Sequence, residues 1–382
     1  MSYAIQFDPV RLPEEAETLR GEVRAFLDEE RAAGTFDGEG GRFNGAFSRK
    51  VGAKGWIGMT WPKAYGGQER SFLERYVVTE EMLVAKAPTG AHFTADRQSG
   101  PVLLKYATDE IKADVLPRIV RGECTFCIGM SEPDSGSDLF AAKTKATKTN
   151  EGWRINGTKL WTSNAHESDY MIGLFRTSAP TSDNRRHGLT QFLVDMKTPG
   201  ITCRPVLHPN GNYEFNEVTF EDAMLPLENI LGEVDGAWKQ AISELAYERS
   251  GPERFLETLP VLLELIDAIG AEPDDRSAEG LGRLVAQLFT MRRMSISVAG
   301  MLTAGKEPTL ESSIVKDLGT VWEQRLPDVC RDLAVLASRD PATRERFLAV
   351  LRRYTLIAPK LTIQGGSTEI LRGIIARGLG LR

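Results

Sequence analysis

Two short polar segments carry the side chains of this chain that are best suited to chemistry. Residues 131–138 read Ser-Glu-Pro-Asp-Ser-Gly-Ser-Asp, and residues 159–163 read Lys-Leu-Trp-Thr-Ser. The first segment offers hydroxyls and backbone N–H groups that suit an anion such as a pyrophosphate. The second offers an indole that can stack on a flat ring and hydroxyls that can donate to its heteroatoms. For either segment alone, the alternative is an ordinary β-hairpin region whose Ser and Asp residues only make turns.

Composition limits the classes of protein to which the chain can belong. Its 382 residues are 41% hydrophobic and 26% charged, which is enough for a large core in two or three domains. With 47 basic and 53 acidic side chains the net charge is −6, and no basic stripe favours nucleic acid as a partner. The N-terminus does not resemble a signal peptide, and no run approaches the ~20 apolar residues of a membrane span. These features predict a cytoplasmic protein without a membrane partner.

The four cysteines and four histidines predict neither a redox centre nor a metal site. Cys124 and Cys127 have the spacing of a redox motif, but they lie in an apparent strand, so we interpret them as core residues. The histidines lack the spacing of metal ligands.

Three zones of different periodicity follow one another along the chain. Helical spacing runs from about residue 12 to 122, strand-like runs from about 124 to 232, and helical spacing returns from 238. We therefore predict domains at 1–123, 124–233 and 234–382. Within them we expect helices at 12–34, 70–87, 107–122, 238–269, 276–304, 312–337 and 344–377, and strands at 152–163, 169–178, 188–197, 201–207 and 216–226. Asn156-Gly157 predicts a hairpin turn, and residues 270–280 read as a linker.

The two polar segments resemble, in order and spacing, the flavin-binding strands of the acyl-CoA dehydrogenase family. Glu132-Pro133 and Gly136-Ser137-Asp138 carry the first part of this resemblance, and the 159–163 run carries the second. Other matching runs are Trp61-Pro62 with Tyr65-Gly66-Gly67, Phe215-Asn216-Glu217-Val218 with Asp222 and Pro226, and the ending from Gly365 to Arg382. The resemblance implies a mainly α fold with a β middle domain: a helical N-terminal domain, a β-barrel and a C-terminal four-helix bundle.

The family resemblance also implies a reaction. Family members oxidise an acyl-CoA thioester to the trans-2-enoyl-CoA: a carboxylate removes the α-proton while the β-hydrogen leaves as hydride to the flavin. The implied cofactor is FAD, and the implied electron acceptor is an electron-transfer flavoprotein.

Positions that match the family's motifs have implied roles at the cofactor. The backbone of Met130 and the hydroxyl of Ser131 are expected near the pyrimidine edge of the flavin. Ser137, with Gly136, is expected at the pyrophosphate. Further expected contacts are Trp161 over the isoalloxazine, Ser163 near N5, and Ser367 and Glu369 at the adenosine half. For Trp161 alone, a core aromatic is the alternative.

The catalytic base departs from the family's commonest pattern. Many members place a Glu near the C-terminus, where this chain has Gly365, and a glycine cannot take a proton. A second group, the isovaleryl- and long-chain-type enzymes, carries a Glu directly before an Arg on a helix, and this chain has Glu248-Arg249 at that point. We therefore predict Glu248 as the base and expect Arg249 to serve structure. The backbone N–H of Gly365 can still meet the enolate oxygen.

A second departure concerns the oligomer. The family's Arg-Phe-Gly run, which reaches the flavin of a neighbouring subunit, is absent, and residues 270–287 stand in its place with Arg276 or Arg283 as substitutes. A Gly-Gly stretch that usually precedes the tail is also absent. The chain thus resembles subunits of bacterial heterotetrameric dehydrogenases for steroid side-chain CoA thioesters, so a homotetramer and an α2β2 heterotetramer both remain open. A flavin-poor structural partner subunit is one alternative function, and a related oxidase or hydroxylase is another.

Overall fold

The computed structural model divides into two compact units. It describes residues 5–38, 43–237, 240, 249, 251–334 and 340–381. The first unit combines the described parts of Met1–Phe26, Phe72–Ala85 and Glu248–Arg382, and the second combines those of Leu27–Ser71 and Lys86–Tyr247.

The N-terminal third of the chain is helical, as its periodicity predicts. The helices are α1 (Glu14–Ala32), α2 (Gly45–Ala53), α3 (Phe72–Val84), α4 (Gly90–Thr94), α5 (Gly100–Tyr106) and α6 (Asp109–Val120). The predicted helices at 12–34, 70–87 and 107–122 correspond to α1, α3 and α6. The sequence did not predict α2, because its two glycines weaken the helix signal. Its start is instead fixed by Asn44, whose side chain accepts the backbone N–H of Phe47 at 3.0 Å.

Eight strands of the second unit form one sheet. They are β1 (Phe126–Gly129), β2 (Lys145–Lys148), β3 (Trp153–Ser163), β4 (Tyr170–Arg176), β5 (Leu189–Asp195), β6 (Ile201–Val206), β7 (Phe215–Leu225) and β8 (Ile230–Leu231). Their order is β6-β7-β3-β2-β4-β5-β8, with β1 parallel to β4. Aromatic and branched side chains, including Trp153, Phe175, Phe192 and Phe220, form the core of the sheet. The five predicted strands all occur.

The predicted hairpin at Asn156-Gly157 is wrong. Both residues lie inside β3, where a β-bulge shifts the register against β7. The Asn156 side chain pairs with Asp222 of β7, donating to its carboxylate and accepting its backbone N–H, both at 3.0 Å. Gly157 has φ of 139°, and an added Cβ would lie 2.8 Å from the Cα of Thr144. Cross-strand pairing therefore uses the glycine for a close approach rather than for a turn.

The C-terminal part of the first unit is helical. Its elements are α7 (Leu259–Ile269), α8 (Asp275–Thr303), α9 (Thr309–Ala334), α10 (Pro341–Leu361) and α11 (Thr368–Gly378). The linker predicted at 270–280 is shorter than expected, because Asp274 caps α8 by accepting the backbone N–H of Ser277 at 2.9 Å. The single helix predicted at 344–377 is wrong as well, since a turn at 362–367 separates α10 from α11. Apolar side chains of α7, α8, α9 and α10 share one core.

A buried ion network joins the separate segments of the first unit. Arg292 of α8 donates to both carboxylate oxygens of Glu80 in α3, at 2.7 and 2.9 Å. Arg20 of α1 donates to Glu80 at 2.9 Å and also to Glu81, and Arg24 binds Glu81 at 2.7 Å. Burial alone raises the pKa of Glu80, but the hydrogen bonds from Arg292 and Arg20 lower it overall. Three helices distant in sequence are thereby tied together.

Cys124 and Cys127 are core residues, as predicted. Cys124, Cys127 and Cys330 are buried and reduced, and Cys203 is half-buried. Burial raises the pKa of Cys124 to about 12 and that of Cys127 further, which suppresses thiolate formation. Among the helices that the structure describes, none combines the length and apolar character of a membrane span.

Candidate functional site

The indole of Trp161 projects from the sheet because of a second bulge in β3. The register against β7 shifts between Lys159 and Thr162, and Trp161 takes the left-handed φ of 63°. Strict alternation from the buried Trp153 would point Trp161 inward, but the bulge reverses its direction. The indole is 54% exposed, so the core-aromatic alternative is wrong. The exposed Ser163 flanks the same buried neighbour, Thr162.

The loop at 131–138 is a tight turn with an open outer surface. Glu132 and Ser135 exchange two backbone hydrogen bonds, at 2.7 and 3.1 Å, and the Ser135 hydroxyl donates to the Asp138 carbonyl at 2.9 Å. Gly136 and Ser137 are exposed, and an added Cβ at Gly136 would meet nothing within 4 Å. The loop therefore presents backbone and a hydroxyl outward while its inner side chains fix its shape.

A buried ion pair lies beneath this loop. Lys159 Nζ donates to Glu132 Oε1 at 2.8 Å, with side-chain exposures of 0% and 5%. Glu132 also accepts the backbone N–H groups of Lys143 at 2.6 Å and Thr144 at 2.9 Å. Burial lowers the pKa of Lys159 to about 8, although Glu132 opposes this shift. Burial raises the pKa of Glu132, but the charge and hydrogen bond of Lys159 lower it overall. Each partner therefore favours the charged form of the other against the cost of burial.

The same lysine connects the two polar segments. Lys159 Nζ donates to the carbonyl of Met130 at 3.2 Å, and the Leu160 N–H donates to the carbonyl of Ser131 at 2.9 Å. The donors are the two residues before Trp161, and the acceptors are the first residue of the loop and the residue before it. The structure thus brings Met130, Ser131 and the bulge that carries Trp161 side by side.

Arg176 of β4 fixes the chain that leaves the loop. Its guanidinium donates to the carbonyls of Ala142 at 3.1 Å, His187 at 2.8 Å and Phe140. Burial lowers the pKa of Arg176, and the three carbonyls take up its donors. This residue holds the 139–142 segment against the loop between β4 and β5.

The C-terminal turn of the first unit is held by two buried cations. Gly365 and Gly366 have φ of 69° and 100°, values that an L side chain rarely adopts. Arg249 Nε donates to the Gly365 carbonyl at 3.3 Å, and Lys316 of α9 donates to the Gly366 carbonyl. Arg249 is 2% exposed and Lys316 is 0% exposed. Arg249 thus contacts the backbone of the turn, in line with the structural role expected for it.

Ser367 and Glu369 follow the turn and open α11. The Ser367 side chain is the N-cap and accepts the Ile370 N–H. Hydrogen bonds from its own backbone N–H and from Ser367 lower the pKa of Glu369. Glu369 is exposed and Ser367 half-buried, and the Ser367 hydroxyl fixes the start of the helix as its N-cap.

The predicted site residues fall into three groups. Met130, Ser131, Gly136, Ser137, Trp161 and Ser163 lie together in the second unit, whereas Gly365, Ser367 and Glu369 lie together in the first. Glu248 lies outside the described residues. Of the two substitute arginines, Arg276 is exposed and Arg283 pairs with Glu279 at 2.6 Å.

Sequence reasoning missed the buried cations beneath these segments. The sequence does contain a signal for Lys159. This residue lies in the same alternation as the inward-facing Trp153 and Ile155 of β3, and a buried lysine needs an acidic partner. No comparable signal marks Lys316, because a lysine on a mixed helix face is ordinarily solvated.

Comparisons with known proteins agree with this architecture. Residues 13–123 match the acyl-CoA dehydrogenase N-terminal domain, and residues 127–223 match the acyl-CoA dehydrogenase middle domain. Acyl-CoA dehydrogenase IpdE1 of Mycobacterium tuberculosis is 32% identical over 385 residues, covering 96% of this chain and 98% of that protein. Mitochondrial short-chain specific acyl-CoA dehydrogenase of Bos taurus is 30% identical over 328 residues, covering 81% and 78%.

Solved structures give the same result. The Tcur3481-Tcur3483 steroid ACAD has a TM-score of 0.82 at 26% identity, over 97% of this chain and 98% of that chain. The ChsE4-ChsE5 complex from Mycobacterium tuberculosis has a TM-score of 0.83 at 26% identity, over 98% and 100%. The mainly α fold with a β middle domain is confirmed. The chain belongs to the acyl-CoA dehydrogenase family of flavoprotein enzymes.

Proposed function

We propose that this enzyme uses FAD to convert an acyl-CoA thioester into the trans-2-enoyl-CoA and passes the electrons to an electron-transfer flavoprotein. The observation that carries the proposal is the half-exposed Trp161, which the bulge in β3 presents beside the loop at 131–138. An indole this exposed loses apolar burial that the sheet could have provided, and stacking on a flat ring recovers it.

The residues present fit FAD in their chemistry. The exposed Ser137 hydroxyl and the backbone at Gly136 suit the pyrophosphate, and Ser131 and Ser163 suit the polar edge of a flavin ring. The backbone of Met130 lies next to Ser131. We assign Ser367 and Glu369 to the adenosine half, where the exposed Glu369 carboxylate can accept hydroxyl donors. When bound, FAD supplies the acceptor for the hydride that leaves the β-carbon.

Proton removal is the step that we assign to this chain's own residues. We propose Glu248 as the base for the α-proton, because Gly365 has no side chain to fill that role. The backbone N–H of Gly365 donates to the thioester oxygen and stabilises the enolate that forms. Arg249 and Lys316 support this step by holding the carbonyls of Gly365 and Gly366.

We further propose an α2β2 heterotetramer with a related chain. Two solved relatives are described as pairs of different chains, and this chain lacks the Arg-Phe-Gly run. Apolar side chains also face outward on the first unit's helices: Leu263, Ile266, Val285, Phe289 and Leu348 are each at least 39% exposed. Such side chains suit burial against another subunit. A homotetramer with four bound FAD and full activity would refute the heteromer and leave the chemistry intact.

A flavin spectrum of the purified protein, alone and co-expressed with a related chain, tests the cofactor proposal. We expect roughly one FAD per heterodimer. A folded complex without flavin would contradict the proposal and favour the flavin-poor partner subunit. Rapid reaction of the reduced flavin with O2 would instead favour an oxidase.

Stopped-flow bleaching of the flavin by acyl-CoA tests the base. Glu248→Gln should slow bleaching by ~10²–10⁴-fold, the usual cost of a lost general base, while FAD stays bound. Glu272→Gln, at an exposed carboxylate between α7 and α8, is the control and should leave bleaching unchanged. Wild-type rates in Glu248→Gln would place the base elsewhere.

A further inference from the structure

We propose that the buried ion pair Glu132–Lys159 positions the flavin. The pair fixes the distance and orientation between the loop at 131–138 and the bulge that carries Trp161. This inference rests on the proposed use of FAD and goes beyond it, because neither charged side chain is among the residues expected to touch the cofactor.

The contacts of Glu132 reach three parts of the sheet region at once. One carboxylate oxygen accepts from Lys159 at 2.8 Å and from the Thr144 N–H at 2.9 Å, and the other accepts from the Lys143 N–H at 2.6 Å. Its own backbone closes the turn with Ser135. Glu132 therefore ties the loop to the chain that enters β2 and, through Lys159, to β3.

The contacts of Lys159 complete the connection. Its ammonium donates to Met130 at 3.2 Å as well as to Glu132, and it lies 5.4 Å from the centre of the Phe175 ring. The bulge begins directly after Lys159. A movement of this side chain would therefore move the Met130 carbonyl and the start of the bulge together.

Stability of the fold does not by itself require an ion pair at this place. Removing two charges from water is costly, and replacing a buried pair with apolar residues is often neutral or stabilising. The ion pair does, however, fix the relative orientation of the two segments. Charged hydrogen bonds determine which oxygen meets which donor, whereas apolar side chains in contact can slide past one another. A device that must hold two segments at a set spacing benefits from this directionality.

One further charge faces the pair. Arg176 attracts Glu132 and repels Lys159, and its guanidinium is anchored on the carbonyls of Phe140, Ala142 and His187. Loss of the Lys159 charge would leave Glu132 attracted toward Arg176. We therefore expect the loop to shift toward the 139–142 segment in a Lys159 variant.

The test measures FAD binding rather than turnover. Lys159→Met and Glu132→Gln are compared with Glu123→Gln, which removes an exposed ion pair outside the loop: Glu123 meets Arg121 at 2.7 Å, with side chains 44% and 55% exposed. For each protein, purified with its partner chain if one co-purifies, the FAD dissociation constant is determined by titrating the flavin-free form. Visible circular dichroism of the flavin is recorded at saturating FAD, and the melting midpoint is measured without FAD.

We expect both buried-pair variants to bind FAD about ten- to a hundredfold more weakly. A change of this size in the dissociation constant matches the free-energy cost of one or two unsatisfied buried polar groups. Their flavin dichroism at saturation should differ from that of the wild type, because the ring meets a displaced indole. Glu123→Gln should match the wild type in both measurements. Glu132→Gln keeps the shape of the side chain and provides the test if Lys159→Met does not fold.

Two outcomes distinguish failure of the proposed function from failure of the positioning role. Wild-type protein that binds no FAD would overturn the proposed function and this inference with it. Wild-type protein that binds FAD, with buried-pair variants that equal it in affinity and dichroism and differ only in melting midpoint, would overturn the positioning role alone. The double variant Glu132→Gln/Lys159→Met should show non-additive losses, since the two groups act as one pair.

Discussion

The ion network around Glu80 predicts a specific loss of stability in Glu80→Gln. The amide keeps the size of the carboxylate but cannot accept from Arg292 at both oxygens, as Glu80 does at 2.7 and 2.9 Å. It also removes the charge that offsets Arg20, whose side chain is only 12% exposed. The variant should therefore loosen the contact between α1, α3 and α8 in the first unit.

The size of the effect follows from how buried each partner is. Removing one member of a fully buried pair costs about 3–5 kcal/mol. Arg20 retains Glu81, and Arg292 is 32% exposed, so water recovers part of the loss. We expect a decrease of about 2–3 kcal/mol in the free energy of unfolding. For a domain of about 150–250 residues this corresponds to roughly 4–12 °C in the melting midpoint.

The dependence on pH has a definite sign. The folded pKa of Glu80 lies below its ordinary value of 4.5. Its contribution is therefore fully present above the carboxyl's unfolded pKa and is lost as the pH falls through the folded pKa. Wild type and Glu80→Gln should differ at pH 7 and converge in acid.

Calorimetry at pH 7 and at pH 4 or lower measures both effects. Glu17→Gln is the matched control, because Glu17 also binds Arg20, at 2.8 Å, but is 53% exposed, and it should cost less than about 1 kcal/mol. Equal midpoints for Glu80→Gln and Glu17→Gln would refute the reasoning, and so would a difference that stays constant into acid.

Three further predictions concern single side chains. Trp161→Ala should lower the flavin content of the purified protein and shift the visible flavin spectrum, whereas unchanged spectra would remove the indole from the site. Gly157→Ala should lower the free energy of unfolding, measured by thermal denaturation, by about 1–3 kcal/mol because the alanine backbone would be strained. Gly21→Ala, in open space on α1, should raise it by about 0.5–1 kcal/mol. In native protein at pH 8 a thiol reagent should label the half-buried Cys203 before Cys127, because burial blocks access to the Cys127 thiol; equal rates would contradict this.

Much of the fold could be predicted because its signals are local. The helices α1, α3 and α6 and the strands β3 to β7 follow from hydrophobic periodicity and β-branched composition. The prediction of a hairpin at Asn156-Gly157 was wrong because the same dipeptide can also form a β-bulge. Only the pairing of Asn156 with Asp222 on the neighbouring strand decides between a turn and a bulge. Short helices such as α2 are specified by caps and packing more than by pattern.

The exposed residues of the candidate site could be predicted from the sequence, but the buried residues that hold them in place could not. Trp161 and the loop hydroxyls stand out by type and spacing, but the outward direction of Trp161 depends on a bulge that alternation cannot foresee. The pairing of Glu132 with Lys159 joins positions 27 residues apart, and that of Lys316 with the Gly366 carbonyl joins positions 50 apart. Such contacts arise from tertiary folding, which a reading of single segments does not contain.

The divided first unit has a consequence for folding during synthesis. Glu80 and Arg292 are separated by 212 positions, and ribosomes add about 5–20 residues per second. About 10–40 s therefore pass between the emergence of the carboxylate and that of its bidentate partner. During this interval α1 and α3 have left the ribosome while the apolar surface that α8 will cover stays open. The apolar face of α3 at Tyr76 therefore stays uncovered until Ile296 and Ala299 of α8, which pack against it, have been translated.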